Sequence, residues 1–448
     1  MGAHDVVIEM FTKEVRTITY RIVDTGCCRV RRLDHHGGEA EGQTESYTPG
    51  LFVESRWIPG KAYRPIDGDE LTATRRARLA VTCNNARAMT VHDLPRITPS
   101  FAPQPEGVAW PIEQWPRGTH PQQANLDLVV DQIFTNDELA ATNAVVVIQG
   151  GRVLVERYAG EREFFDRPAE PITASSPLLS WSMAKSMLHM IIGTLVDEGR
   201  LDPDQLAPVP EWRDQDDPRH QIRLRDLLAM RDGLGFVEVY EVGQPSDVIE
   251  MLFGQGKEDT AAYTARVALA HEPGTFFNYS SGTSNLLSRI VADVVGYADT
   301  YRDYLARRLF SPLGMKSAEA TFDDTGVWVA SSFVHATALD FAKFGLLYLR
   351  GGEWNGSQLV TREWAATAQT PLSLEEESGS FYSWQWWVTG DQYGTYWASG
   401  YEGQMISVVP ALDALVLRFG HTPAENYPAL YAWRARVLDV LSKDYAPS

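Results

Sequence analysis

A single Ser-x-x-Lys sequence stands at the start of a predicted apolar helix, Trp181-Ser182-Met183-Ala184-Lys185-Ser186. The helix is expected to end at Gly199, a typical residue just beyond a helix C-terminus. Ser182 and Lys185 lie on one helical face, so the lysine amine can reach the serine hydroxyl. A desolvated lysine can lose its proton and act as a base, whereas an arginine cannot. Only seven of the 40 basic residues are lysines, and only Lys185 follows a serine at this spacing. The pattern predicts that Lys185 activates Ser182 as a nucleophile.

The same four residues have a plainer interpretation, because Ser-x-x-Lys is a short and common pattern. Ser182 could serve only as a helix cap, with Lys185 reaching solvent. A catalytic serine also needs an oxyanion hole and an acid for the leaving group. Near a helix N-terminus, the main-chain N–H of Ser182 can supply half of that oxyanion hole.

Two further segments favour catalysis. Residues 276–283, Phe-Phe-Asn-Tyr-Ser-Ser-Gly-Thr, form an aromatic, hydroxyl-rich loop before another predicted helix. A tyrosine near a cation, here Tyr279, can ionise or relay a proton. Residues 399–404, Ser-Gly-Tyr-Glu-Gly-Gln, predict a turn between two strands, where a main-chain N–H could complete the oxyanion hole. Taken alone, Tyr279 would be a half-buried tyrosine bonded to the backbone, and the second segment only a tight turn.

Aromatic residues near the C-terminus suggest an apolar substrate pocket. Residues 383–388 predict a strand containing Trp384, Trp386 and Trp387. Alternation along a strand puts Trp384 and Trp386 on one face and Trp387 on the other, so some of them belong to the core. We expect Trp386 and Phe277 to line the pocket.

Composition argues against several classes of partner. The chain has 448 residues, a formal net charge of −19 and no run of basic residues. Nucleic acid and membranes are therefore not expected partners. No apolar stretch is long enough to span a bilayer, and the first residues lack the basic and apolar regions of a signal peptide. These features predict a cytoplasmic protein.

The three cysteines, Cys27, Cys28 and Cys83, do not make a disulfide framework, which suits a reducing compartment. With His35 and His36 they could be interpreted as a zinc cluster. Their spacing fits no common zinc pattern, so we expect neither a metal nor an organic cofactor.

The N-terminal quarter differs from the rest of the chain. Residues 17–23 and 78–82 alternate as strands do, and residues 99–123 carry six prolines. We predict that residues 1–122 form a small β-rich appendage followed by an extended linker.

Residues 123–448 predict one α/β (α+β) domain, an antiparallel sheet flanked by helices. A hairpin over residues 143–158 turns at Gly-Gly, and further strands follow near the C-terminus. We expect residues 123–200 and 371–448 to share one sheet, with residues 201–370 as an inserted, mostly helical part.

The order of these motifs resembles the serine β-lactamase and penicillin-binding-protein superfamily. Within it, residues 125–445 are similar to esterases and amide hydrolases related to class C β-lactamases, of the 6-aminohexanoate-dimer-hydrolase-like and family VIII esterase-like kinds. The likeness rests on the three motifs above and on Leu-Arg-Asp-Leu-Leu at 224–228, His-Glu-Pro-Gly-Thr at 271–275 and Ser-Pro-Leu-Gly-Met at 311–315.

The resemblance implies roles for individual residues. Ser182 would be the nucleophile, Lys185 its base and Tyr279 the partner acid and base. The main-chain N–H groups of Ser182 and Gln404 would form the oxyanion hole. Substrate would contact the pocket residues named above and three more: Tyr401, Gly403 and Ser281.

Two departures from the family pattern bear on the substrate. Where β-lactamases carry Lys-Thr-Gly, this chain has Tyr401-Glu402-Gly403, so the cation that holds a substrate carboxylate is missing. The third residue of the tyrosine motif is Ser281 rather than Asn. Both changes favour a neutral ester or amide over a β-lactam or a cell-wall peptide.

The resulting hypothesis is a serine hydrolase that cleaves a small ester or amide through an acyl-enzyme. Two alternatives stay open: acyl transfer to an amine or alcohol at the same site, and a non-catalytic sensor module on the same scaffold. The sequence does not determine whether the protein is a monomer or a homo-oligomer.

Overall fold

A computed structural model describes residues 4–10, 16–23, 29–32, 94–162, 168–241, 243–375, 378–443 and 445. The chain forms two compact units, Met1–Met89 and Thr90–Ser448. The first unit contains an antiparallel sheet of β1 (His4–Met10), β2 (Arg16–Val23) and β3 (Arg29–Arg32), in that order. Strand β2 confirms the strand predicted over residues 17–23. The strand predicted over 78–82, the three cysteines, His35 and His36 lie outside the described residues.

The second unit contains one large sheet and several shorter strands outside it. Its strands are β4 (Ala141–Gln149), β5 (Arg152–Tyr158), β6 (Glu161–Arg162), β7 (Glu170–Pro171), β8 (Leu178–Leu179), β9 (Glu319–Ala320), β10 (Val334–Ala336), β11 (Glu353–Trp354), β12 (Ser357–Gln358), β13 (Ser373–Leu374), β14 (Phe381–Tyr382), β15 (Trp387–Val388), β16 (Tyr396–Gly400), β17 (Gln404–Val409) and β18 (Ala414–His421). Eight of them form an antiparallel sheet in the order β13-β14-β15-β16-β17-β18-β4-β5. The predicted sharing of one sheet by the two ends of the domain is confirmed.

Helices account for most of the remaining regular structure. They are α1 (Gln123–Asp131), α2 (Met183–Asp197), α3 (Leu224–Leu228), α4 (Asp247–Phe253), α5 (Thr260–Ala265), α6 (Ser281–Val295), α7 (Asp299–Leu305), α8 (Ser311–Leu313), α9 (Ala338–Leu349), α10 (Arg362–Thr367) and α11 (Tyr427–Ser442). Residues 201–370, between β8 and β13, hold eight of these helices, α3 to α10, together with the short strands β9 to β12, as the sequence predicted for the middle of the domain.

The central strands are buried on both faces. In β4, Val146 and Ile148 pack into the core that contains α2 and α9, whereas Val145 and Val147 pack into the core that contains α1 and α11. Because side chains alternate along a strand, an almost continuous apolar run serves both layers. The domain is therefore a sheet between two helical layers.

One predicted strand is wrong. The segment over residues 383–388 is not continuous, because β14 and β15 are separated by a bend in which Gln385 has a φ of +57°. The predicted faces of the tryptophans nevertheless hold, since Trp384 and Trp386 pack into the core that contains α2 and α9, and Trp387 packs into the core that contains α1 and α11.

The proline-rich segment before α1 belongs to the second unit and packs on other parts of it. The Ala102 N–H donates to Leu349 O, and the Trp115 indole donates to Leu339 O at 3.1 Å. The predicted division of the chain at residue 122 remains a prediction. Within the described residues, no helix is long and apolar enough to cross a membrane, and no group of three or more His, Cys, Asp or Glu could hold a metal ion.

Candidate active site

Helix α2 carries the Ser-x-x-Lys pair into the protein interior. Ser182 directly precedes the helix, and its hydroxyl makes no capping hydrogen bond. Lys185 is only 1% exposed, and its Nζ lies 3.0 Å from Ser182 Oγ. The plainer interpretation, a capping serine and a solvated lysine, therefore does not hold.

Lys185 Nζ has two more protein partners. It lies 3.0 Å from Ser281 Oγ at the start of α6 and 2.9 Å from Ser331 O. The loop carrying Ser331 is held by Asn285 of α6, whose side-chain oxygen accepts the Ser331 N–H at 3.0 Å. Burial lowers the pKa of Lys185 to about 8, and the Glu238 carboxylate opposes that fall. A large fraction of the amine is thus neutral near pH 8.

Tyr279 lies beside the lysine. Its ring centroid is 5.0 Å from Lys185 Nζ, and the side chain of the preceding Asn278 donates to Leu234 O and Phe236 O at 3.0 Å. Burial raises the pKa of Tyr279, and Glu238 raises it further, against a hydrogen bond with Ser182. Tyr279 is therefore a neutral phenol that can donate a proton.

Glu238 is the group that the sequence analysis missed. Its carboxylate accepts the Ser281 hydroxyl at 2.6 Å, the Ser281 main-chain N–H at 2.8 Å and the Tyr240 hydroxyl at 2.7 Å. Glu238 lies in a loop, 53 positions after Lys185 along the chain. No motif marks it, so only the fold brings it to the site.

The turn between β16 and β17 closes the site from the sheet. A Cβ at Gly400 would collide with Ser180 O, so the close approach of the two backbones requires glycine here. The next ring, Tyr401, meets Trp181 edge-on with centroids 5.6 Å apart and stacks on Tyr240 at 4.7 Å. Tyr401 therefore lies beside the residue that precedes Ser182, and its role in substrate binding stays a prediction.

Gln404 and Arg418 hold this turn. Gln404 pairs with Gly400 across the hairpin, and its side-chain amide donates to Tyr401 O and Gly420 O. The guanidinium of Arg418 is buried and donates to Glu402 O at 2.9 Å. These contacts support the turn from the side of the core.

The structure corrects the prediction that Trp386 lines the pocket. Trp386 is 0% exposed and packs against Phe344 and Tyr348, with centroids 5.9 and 4.5 Å apart. Trp386 belongs to the core that contains α2 and α9. The other predicted pocket residue, Phe277, lies 5.1 Å from the ring of Tyr382, which also contacts Tyr279.

Ser281 and Gly403 also differ from their predicted substrate-binding role. Ser281 is 0% exposed, and its hydroxyl is shared between Lys185 and Glu238. Gly403 is buried with its Cα towards Leu430 and Arg418. Ser281 thus supports the lysine, and Gly403 packs in the core.

Comparison with known proteins finds likeness over this unit. The beta-lactamase family matches residues 130–440. The 6-aminohexanoate-dimer hydrolase of Paenarthrobacter ureafaciens is 28% identical over 310 residues, covering 64% of this chain and 74% of that protein.

Solved structures are similar in fold. A Bacillus anthracis protein, provisionally named a 6-aminohexanoate-dimer hydrolase, superposes with a TM-score of 0.60 at 19% identity, over 77% of this chain and 90% of that one. A penicillin-binding protein from Bacillus halodurans gives 0.54 at 17% identity, over 69% and 99%.

Proposed function

Because the chain belongs to the beta-lactamase family, whose profile covers residues 130–440, we propose that it is a serine hydrolase cleaving a carboxylic ester or amide through an acyl-enzyme on Ser182. One observation carries the proposal. A buried lysine whose pKa is lowered to about 8 has its Nζ 3.0 Å from the hydroxyl of a half-buried serine. That arrangement is a nucleophile next to its base.

In the acylation step, Ser182 Oγ attacks the substrate carbonyl while its proton moves to the neutral amine of Lys185. Tyr279, kept protonated by burial, donates a proton to the departing alcohol or amine. Lys185, now an ammonium, returns a proton to Tyr279. Water then attacks the acyl-enzyme by the reverse proton transfers.

The tetrahedral intermediate requires an oxyanion hole. We assign one donor to the Ser182 main-chain N–H and the second to the turn after β16. The family resemblance implies Gln404 as the second donor. Gly400, however, is the turn residue that meets Ser180 O, and Gln404 pairs back with Gly400. This contact favours the Tyr401 N–H over the Gln404 N–H.

The surroundings of Ser182 favour an uncharged substrate. Two groups of contacting rings include a neighbour of Ser182: Trp181, which precedes it, contacts Tyr401 and through it Tyr240, and Tyr279, which bonds to it, contacts Tyr382 and Trp387. The hydrogen bonds of the Lys185 amine go to protein oxygens, and the carboxylate of Glu238 lies next to Ser281. A substrate carboxylate would meet like charge without a free cation among the described cleft residues.

Substrate preference tests the function directly. We expect turnover of 4-nitrophenyl hexanoate, with kcat/KM about tenfold higher than for the matched anionic ester 4-nitrophenyl hydrogen adipate. Hexanoyl 4-nitroanilide, assayed in parallel, distinguishes amide from ester cleavage. Stable labelling by a fluorophosphonate should accompany turnover. A folded protein that neither hydrolyses these compounds nor takes the label would contradict a serine hydrolase.

The pH dependence follows from the two titrating groups. The base must be neutral, so kcat/KM for a neutral ester should rise with pH through a midpoint near 8, the pKa of Lys185. No fall is expected at moderately alkaline pH, because the pKa of Tyr279 is raised and the acid keeps its proton. The profile should be measured with correction for spontaneous hydrolysis and with circular dichroism at each pH. A rate that stays constant from pH 6 to pH 9 would rule out Lys185 as the base.

A further inference from the structure

Glu238 controls which atoms around Ser281 carry protons. A carboxylate can only accept hydrogen bonds, so the Ser281 hydroxyl must donate its one proton to Glu238. The same carboxylate also accepts the main-chain N–H of Ser281 at the N-terminus of α6, and this second bond fixes its position. Negative charge is stabilised at that end of a helix. Towards Lys185, therefore, Ser281 Oγ can only accept.

The other hydrogen-bond partners of Lys185 determine where its lone pair points. Ser331 O is a carbonyl oxygen and can only accept. A neutral amine has two N–H bonds and one lone pair. With one N–H directed to Ser331 O and the other to Ser281 Oγ, the lone pair is left for the third neighbour, Ser182 Oγ.

We propose that Glu238 is a positioning residue for the proposed hydrolysis: by fixing the direction of the Ser281 hydroxyl, it aims the lone pair of Lys185 at Ser182. The proton transfer then balances without further groups. The Ser182 O–H bond breaks, its electron pair forms the bond to the substrate carbonyl carbon, and the proton joins the Lys185 lone pair to give an ammonium. The proposal rests on the function proposed above.

The charge of Glu238 also acts on Lys185. Among the described residues, the titratable groups that act on or contact the amine are Glu238 from the loop before α4 and Tyr279 from the loop before α6, whereas Tyr240 bonds to the Glu238 carboxylate. Ser182, Ser281 and Ser331 are uncharged. Glu238 raises the pKa of Lys185 against the effect of burial. Removing its charge should therefore lower that pKa and move the acid limb of the pH profile to lower pH.

Glu238→Gln tests both effects. The amide can donate to Ser281, which frees the serine hydroxyl to compete for the lysine lone pair. We expect the plateau of kcat/KM to fall about tenfold or more and the acid limb to shift to lower pH. Glu238→Asp keeps an accepting carboxylate and should retain more activity, with the limb nearly in place. Glu241→Gln, the same change at an exposed position of the same loop, should alter neither.

A double-mutant cycle with Ser281→Ala separates positioning from a general effect on structure. If Glu238 acts through Ser281, adding Glu238→Gln to Ser281→Ala should cause no further loss of plateau activity. A normal plateau for Glu238→Gln, or a tenfold loss that persists without Ser281, overturns the proposal. Thermal unfolding of each variant shows that it folds. If Ser182→Ala keeps full activity, the failure lies instead with the hydrolase function itself.

Discussion

Replacing Ser182 with alanine should lower kcat/KM for a neutral ester by about 10,000-fold or more. The variant removes the one oxygen that can form the acyl-enzyme, whereas the oxyanion hole and the pocket remain. A loss of this size corresponds to roughly 5 kcal/mol of transition-state stabilisation. Intact mass spectrometry should show one fluorophosphonate adduct on the wild type and none on the variant.

A matched control keeps this result specific. Ser175 is an exposed serine seven residues upstream, so Ser175→Ala should retain both activity and labelling. The fold should survive Ser182→Ala, because the hydroxyl makes no capping bond in α2. An adduct that persists on Ser182→Ala would show that another residue is the nucleophile.

Replacing Lys185 should have the second-largest effect. We expect Lys185→Met and Lys185→Arg each to lower kcat/KM by about 1,000-fold, within the range typical of a lost general base. The two variants separate charge from basicity, since arginine keeps a cation but does not deprotonate in proteins. If Lys185 acted only through its positive charge, the arginine variant would keep much of the activity.

Both lysine variants change a buried position, so folding must be checked by circular dichroism and thermal unfolding. Lys257 is exposed, and Lys257→Met and Lys257→Arg provide the same chemical changes away from the site. We expect these controls to behave as wild type. Retention of wild-type rates by Lys185→Met would exclude Lys185 as the base.

Local patterns predicted most of the regular elements. The hairpin of β4 and β5 turns at Gly150-Gly151, both with positive φ, as the sequence predicted. Helix α2 ends two residues before Gly199, as its sequence indicated. Such features depend on neighbouring residues, so a short window of sequence contains the information that determines them.

Predictions of which side chains contact the substrate were less successful. Trp386 was expected to line a pocket, but it is buried against Phe344 and Tyr348 in the core. Ser281 was assigned to the substrate and instead lies between Lys185 and a carboxylate from a distant loop. In both positions, an interaction outside the local window determines where the side chain points.

The sequence by itself determined the family, the sheet with its inserted helices, and the proximity of Ser182 and Lys185. The last follows from helical geometry alone, because three residues separate the two side chains. Only the tertiary structure decided the state of the amine: the burial that lowers its pKa, the neutral Tyr279, and Glu238 behind Ser281. Desolvation and charge pairing are sums over groups that are distant in the chain, and the fold alone brings those groups together.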